Sequence, residues 1–173
     1  MNSLIRFLKK NNLLLILALS ISLLGCNKQP VATIIPDPFK DIVQGIKGKV
    51  LFKEGRFKSD GSLDGNGKIY GVERLIFIYE LTDIKDVEIG EGDFVKYIST
   101  NVLDSAYSDK HGNFSKELPE GKYSLFVKEH ERLFSKLGDQ DIFEAVEVKK
   151  DKVSTITIEI DYKALYGNED ERE

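Results

Sequence analysis

From Gly45 onward, apolar residues recur at every second position in short runs, and this limits the fold more than any other feature of the chain. Ile156, Ile158 and Ile160 alternate with Thr155, Thr157 and Glu159, which puts the isoleucines on one face of a strand. Gly45–Phe52 repeats the pattern with Ile46, Gly48, Val50 and Phe52, and Val72–Leu81 is dense in β-branched and aromatic residues. Phe94–Leu103 is a less regular candidate strand, and Ala106-Tyr107 runs into the turn Asp109–Gly112. Asn113–Leu118 and Lys122–Glu129 flank Pro119-Glu120-Gly121, where proline presets φ and glycine admits a positive φ. In the second of these, Tyr123, Leu125 and Val127 point one way and Ser124, Phe126 and Lys128 the other. Phe143–Lys149 and Val153–Asp161 form an expected hairpin across Lys150-Asp151-Lys152.

That makes about seven antiparallel strands, and a two-sheet β-sandwich is the architecture that buries half-apolar strands of this kind. No long amphipathic helix is present to make the crossovers of a parallel βαβ fold. Glu129–Leu137 is expected to add a helical turn or two. At 41% hydrophobic and 31% charged residues the composition is that of a globular chain.

The first 25 residues have a different texture. Arg6, Lys9 and Lys10 precede an apolar run from Leu13 to Leu24, interrupted by Ser20 and Ser22, and then Gly25 and Cys26. A membrane-crossing helix needs about 20 apolar residues, so the run is too short to span and reads as a secretory signal. Asn27 to Gln44 lacks periodicity and contains Pro30, Pro36 and Pro38, as a tether does. An extended partner-binding segment around Ile34-Ile35 is the other reading. The expected organisation is a leader at 1–25, a tether at 26–44, a sandwich at 45–166 and an acidic tail at 167–173.

Leu23-Leu24-Gly25-Cys26 resembles the lipobox of bacterial lipoproteins, with a departure at Leu24, where smaller or β-branched residues are commoner. The resemblance implies cleavage between Gly25 and Cys26 and a diacylglycerol or acyl lipid on Cys26, the chain's only cysteine. Acyl chains contribute about 0.8 kcal/mol per buried methylene, enough for two or three of them to hold a domain on a membrane. Cleavage would remove three basic residues and no acidic ones, leaving 22 Lys+Arg against 29 Asp+Glu, a formal charge of −7. Such a surface excludes nucleic acid as the expected partner and disfavours electrostatic adhesion to anionic lipid.

Ser108-Asp109-Lys110-His111-Gly112-Asn113-Phe114, followed by Leu118-Pro119-Glu120-Gly121-Lys122-Tyr123-Ser124-Leu125, resembles the signature of carboxypeptidase regulatory-like domains. Gly45–Val50 is similar to their first strand, and Ile160–Tyr166 to the end of a lipoprotein subgroup of Bacteroidetes. The resemblance implies a transthyretin-like (prealbumin-like) Greek-key sandwich that accompanies catalysis elsewhere and performs none itself. Surface-exported lipoproteins of that group resemble one another in carrying acids soon after the cysteine. Here no carboxylate precedes Asp37, which favours the periplasmic face of the outer membrane.

Candidate chemistry is sparse. Asp60, Ser62, Asp64 and Asn66 sit at the alternate positions of a calcium loop, but the acid required further on falls at Gly71. A flexible Gly/Asp loop is the competing reading. His111 and His130 lie too far apart in sequence for a local metal site, and no nucleophile elbow is present. Related pilin sandwiches carry Lys–Asp isopeptide crosslinks; Lys47 or Lys49 with Asp161 would be the pair, but alternation turns both lysines outward. Leu133, Phe134 and Leu137, in the segment 130–142, are expected to fold over one end of the sandwich; as the best candidate interaction surface, their other reading is an apolar edge for an envelope protein partner or a glycan. Tyr79, Tyr97 and Tyr107 are the platforms a glycan would use, weakened by the lack of tryptophan. The expected function is a non-catalytic, lipid-anchored binding or structural module of the cell envelope. A carbohydrate- or peptide-binding lipoprotein of a nutrient-uptake complex is the alternative.

Overall fold

The computed structural model describes residues 41–167. Gly25, Cys26, the leader, the tether up to residue 40 and the tail from 168 lie outside the described residues. Within them the chain is all-β, with two sheets packed face to face around one principal core. Its strands are β1 (Gly45–Lys58), β2 (Lys68–Gly71), β3 (Leu75–Glu80), β4 (Val87–Ile89), β5 (Phe94–Ile98) and β6 (Val102–Tyr107). They continue with β7 (Asn113–Glu117), β8 (Gly121–Glu129), β9 (Arg132–Phe134), β10 (Ala145–Val148) and β11 (Val153–Gly167).

One sheet has the order β11-β1-β2, with β7 also paired to β1; the other has the order β4-β5-β9-β8-β3-β6, with β10 also on β8. The inward faces follow the period of two. Ile46, Val50, Phe52, Ile158 and Ile160 meet Ile76, Ile78, Leu125, Val127 and Phe134 from the other sheet, all of them buried. Gly48 faces the same way because the Phe114 ring lies across it: a Cβ there would stand 2.5 Å from the ring. Ile42 is buried too, and the Gln44 side chain donates to Leu118 O at 3.0 Å and accepts from Asp151 N at 2.9 Å. The last residues before β1 are thus tied to the sandwich.

The chain has eleven strands rather than about seven, and the pairing differs from the expectation in four places. β1 and β11 run parallel from Gly45↔Val153 to Lys58↔Gly167, with a shift of register between Phe52 and Glu54, while the remaining pairs among the described residues are antiparallel. A parallel pair needs a long connection, and here the whole domain supplies it. The expected strand Phe94–Leu103 is two, β5 beside β9 and β6 on the far edge beside β3, with Ser99–Asn101 crossing between. Phe143–Lys149 and Val153–Asp161 do not form a hairpin: β10 pairs with β8 and β11 with β1, so Lys150–Lys152 carries the chain from sheet to sheet. Glu129–Leu137 is not helical. β8 turns directly into β9 through His130-Glu131, with His130 at φ 54°, the backbone sense that a two-residue hairpin requires.

The resembling turn behaves as its residues predict. Asp109 Oδ1 accepts from His111 N at 2.9 Å and Asn113 N at 2.8 Å, and these donors hold its carboxyl below the ordinary range against the opposing effect of desolvation. Gly112 adopts φ +84° and sits so close to β1 that a Cβ would stand 2.2 Å from Val50 O.

Candidate functional site

Where β5, β9 and β11 converge, an open cleft of about 520 Å³ lies between the two sheets, lined by Glu91, Asp93, Phe94, Arg132, Tyr162 and Tyr166 among others. Each wall has a local cause. The turn before β5 closes through Gly90 N to Phe94 O at 2.7 Å and Phe94 N to Glu91 O at 3.3 Å, with Gly92 at φ +61°. This turn presents Glu91 and Asp93 at the rim and sends Phe94 inward. The tight β8–β9 hairpin places Arg132 opposite Glu129, with its guanidinium stacked 3.7 Å from the centroid of the Phe94 ring. Tyr162 continues the inward face of β11 past Ile158 and Ile160, and its ring centroid lies 5.0 Å from that of Phe94 and 5.4 Å from that of Phe52.

Beneath the floor, Glu129 is almost fully buried; it is paired with Arg74 Nε and accepts the Tyr162 hydroxyl at 2.8 Å. Burial, then the hydrogen bond to Glu129 and its charge, push the Tyr162 phenol up to about 12. Tyr166 follows the same logic. Its hydroxyl donates to Asp161 Oδ2 at 3.0 Å, and burial together with Asp161 raises it to about 12. Asp161 also binds Lys136 Nζ at 2.6 Å. Asp93, at the exposed rim, has a raised carboxyl through partial desolvation and the neighbouring Asp161 charge. Both phenols are therefore fixed donors at physiological pH. The Arg132 and Asp93 side chains make no hydrogen bond or ion pair among the described residues, so their charged groups remain available to a ligand. Tyr166 is 48% exposed, with Phe57 packed at a centroid distance of 5.6 Å.

The residues singled out from sequence go elsewhere. Asp60 accepts from Ser62 N at 2.8 Å, Asp64 pairs with Arg56 at 3.7 Å, and Asn66 Oδ1 accepts from Arg56 N at 3.1 Å. These contacts shape a local turn. Among the described residues no group of three or more His, Cys, Asp or Glu is placed to hold a metal ion. His111 is exposed in its turn and His130 in the β8–β9 hairpin. Asp161 faces Lys136 rather than Lys47 or Lys49; Lys47 reaches Asp41 at 3.5 Å and Lys49 is exposed.

Two of the three residues of the candidate partner surface are packed within the sandwich. Phe134 is wholly buried beside Phe94, and Leu133 packs on a second cluster formed by Val95, Phe126 and Phe143, because β9 is an interior strand of its sheet. Leu137 alone of the three is exposed, at 39%. Tyr79 packs against Phe126, while Tyr97 and Tyr107 are exposed on other strands. Arg132, Asp93, Tyr162 and Tyr166 were not singled out. The one local signal for them is the continuation of even-numbered apolar positions on β11 into Tyr162 and Tyr166. Family models, curated proteins and solved structures were each searched, and the chain matches none of them.

Proposed function

We propose that this chain is a lipid-anchored, exported β-sandwich that serves as a non-catalytic binding module of the cell envelope. The resemblance of residues 108–125 to carboxypeptidase regulatory-like domains and the lipobox-like Leu23–Cys26 are the sequence grounds for this reading. Acylated Cys26 would hold the protein on the outer membrane, facing the periplasm, and the segment up to residue 44 would space the sandwich from the bilayer.

One observation carries the reading: the cleft lies at the opposite end of the sandwich from the point where the tether joins. Gly45 pairs with Val153 at the start of β11, whereas the cleft uses Asp161 to Tyr166 near its end. At about 3.3 Å per residue, that separation is roughly 25–40 Å along the strand. The fixed phenols and paired carboxylates around the cleft suit a preorganised binding surface. A carbohydrate or peptide ligand is the second reading, and the mixed charge of the cleft favours it.

Membrane partition of wild type and Cys26→Ala tests the anchor. The wild type is expected in the detergent-soluble membrane fraction, and the substituted chain in the soluble fraction with unchanged thermal stability. Equal membrane association of both would overturn the lipoprotein reading.

A further inference from the structure

We infer that the cleft at the β5–β9–β11 junction binds an uncharged polyhydroxylated ring, a neutral glycan of about one or two pyranose units in contact. This rests on reading the domain as a binding module. The charged side chains of the cleft without a hydrogen-bond or ion-pair partner among the described residues are of both signs, Arg132 from β9 against Glu91 and Asp93 from the turn before β5. An anionic ligand would meet Glu91, Asp93 and Asp161 together. A cationic one would meet Arg132, with Lys136 held behind Asp161. Hydroxyls both donate and accept, so a polyhydroxylated ring can give to the carboxylates and take from Arg132 without bringing in net charge.

The remaining features suit the same ligand. Arg132 is already flat on Phe94, so its planar donors are ordered before binding and lose little freedom on bonding a hydroxyl pair. Tyr166 offers a half-exposed ring whose orientation is set by Phe57 behind it and by its bond to Asp161. A pyranose has an apolar C–H face of the size that packs on such a ring, with its hydroxyls at the perimeter. The cleft volume of about 520 Å³ falls within the range of small-molecule sites, and its open side lets a longer chain run out.

The test is calorimetric titration of the full-length protein in detergent micelles. The probes are short neutral gluco-, manno-, galacto- and xylo-oligosaccharides, with oligogalacturonate and trilysine as anionic and cationic counterparts. At least one neutral oligosaccharide is expected to bind with an affinity insensitive to salt. Arg132→Ala and Tyr166→Ala should each weaken it on the order of tenfold while leaving the chain folded by circular dichroism at the titration temperature. Binding of trilysine or oligogalacturonate alone, weakened by the same substitutions, would overturn the glycan assignment and keep the cleft as the binding site. Neutral-glycan binding that neither substitution alters would overturn the cleft. Binding of none of the probes would overturn the ligand class, while membrane partition of Cys26→Ala would still report on the anchor independently.

Discussion

Glu144 is the most perturbed acid among the described residues. Burial, opposed by Lys136 and reinforced by Glu159, Asp161 and Asp93, raises its carboxyl from 4.5 to about 7. An acid whose folded pKa lies above its unfolded value holds its proton longer when folded. Stability from this group is therefore fully present below pH 4.5 and is lost as pH rises toward 7. The full shift corresponds to roughly 3 kcal/mol. Glu144→Gln should flatten that decline, leaving the variant more stable than wild type at pH 8 and nearly equal to it at pH 4.5; thermal denaturation across this range measures it. Glu129 poses the opposite case, a buried carboxylate made tolerable by Arg74 and the Tyr162 hydroxyl. Arg74→Met should destabilise by about 3 kcal/mol in urea unfolding, because it strands the buried charge. The double variant Arg74→Met/Glu129→Leu should recover part of that loss, as a charge removed together with its partner leaves no unpaired charge and only the Tyr162 hydroxyl without its acceptor.

β8 departs from simple alternation: Tyr123 to Val127 are buried without interruption. Its outer face is covered by Val95, Phe143, Tyr79, Ile84, Val87 and Leu133, which form a second cluster around Phe126. Phe126→Ala should therefore cost about 3–5 kcal/mol in urea unfolding, the magnitude of a core truncation, where a solvent-facing phenylalanine would cost a fraction of that. The inward faces were legible in advance, since Tyr123, Leu125 and Val127 or Ile158 and Ile160 declare themselves by period alone. What covers Phe126 was not, because a period assigns a residue to a face and says nothing of what packs there. Leu133, Phe134 and Leu137 have spacing that fits a helical turn as well as a strand, and only the two-residue turn at His130-Glu131 decides between them. Lys150–Lys152 has the same turn chemistry whether it joins neighbours in one sheet or crosses to another. The cleft was hidden for a related reason: Asp93, Arg132 and Tyr166 come from three distant elements, and no local pattern connects them.

At the scale of the whole molecule, the first and last strands close the fold. β1 lies between β11 on one side and β7 and β2 on the other. Nearly the full domain must be ordered before β1 and β11 meet, so folding in milliseconds to seconds is expected from stopped-flow refolding, as for other sandwiches rich in distant pairings. Deleting 153–167 should leave β1 with an unpaired edge of fourteen residues and yield a chain that sediments as aggregate, where the intact chain stays monodisperse in detergent. The parallel arrangement has one more consequence, a mechanical one. A pull on the cleft end of β11 against a hold at the start of β1, as the proposed anchor and ligand would apply, draws the two strands lengthwise past each other. Their hydrogen bonds then share the tension together instead of parting one after another. The seam between the two longest strands lies along that line of pull, so force applied this way shears it and does not unzip it.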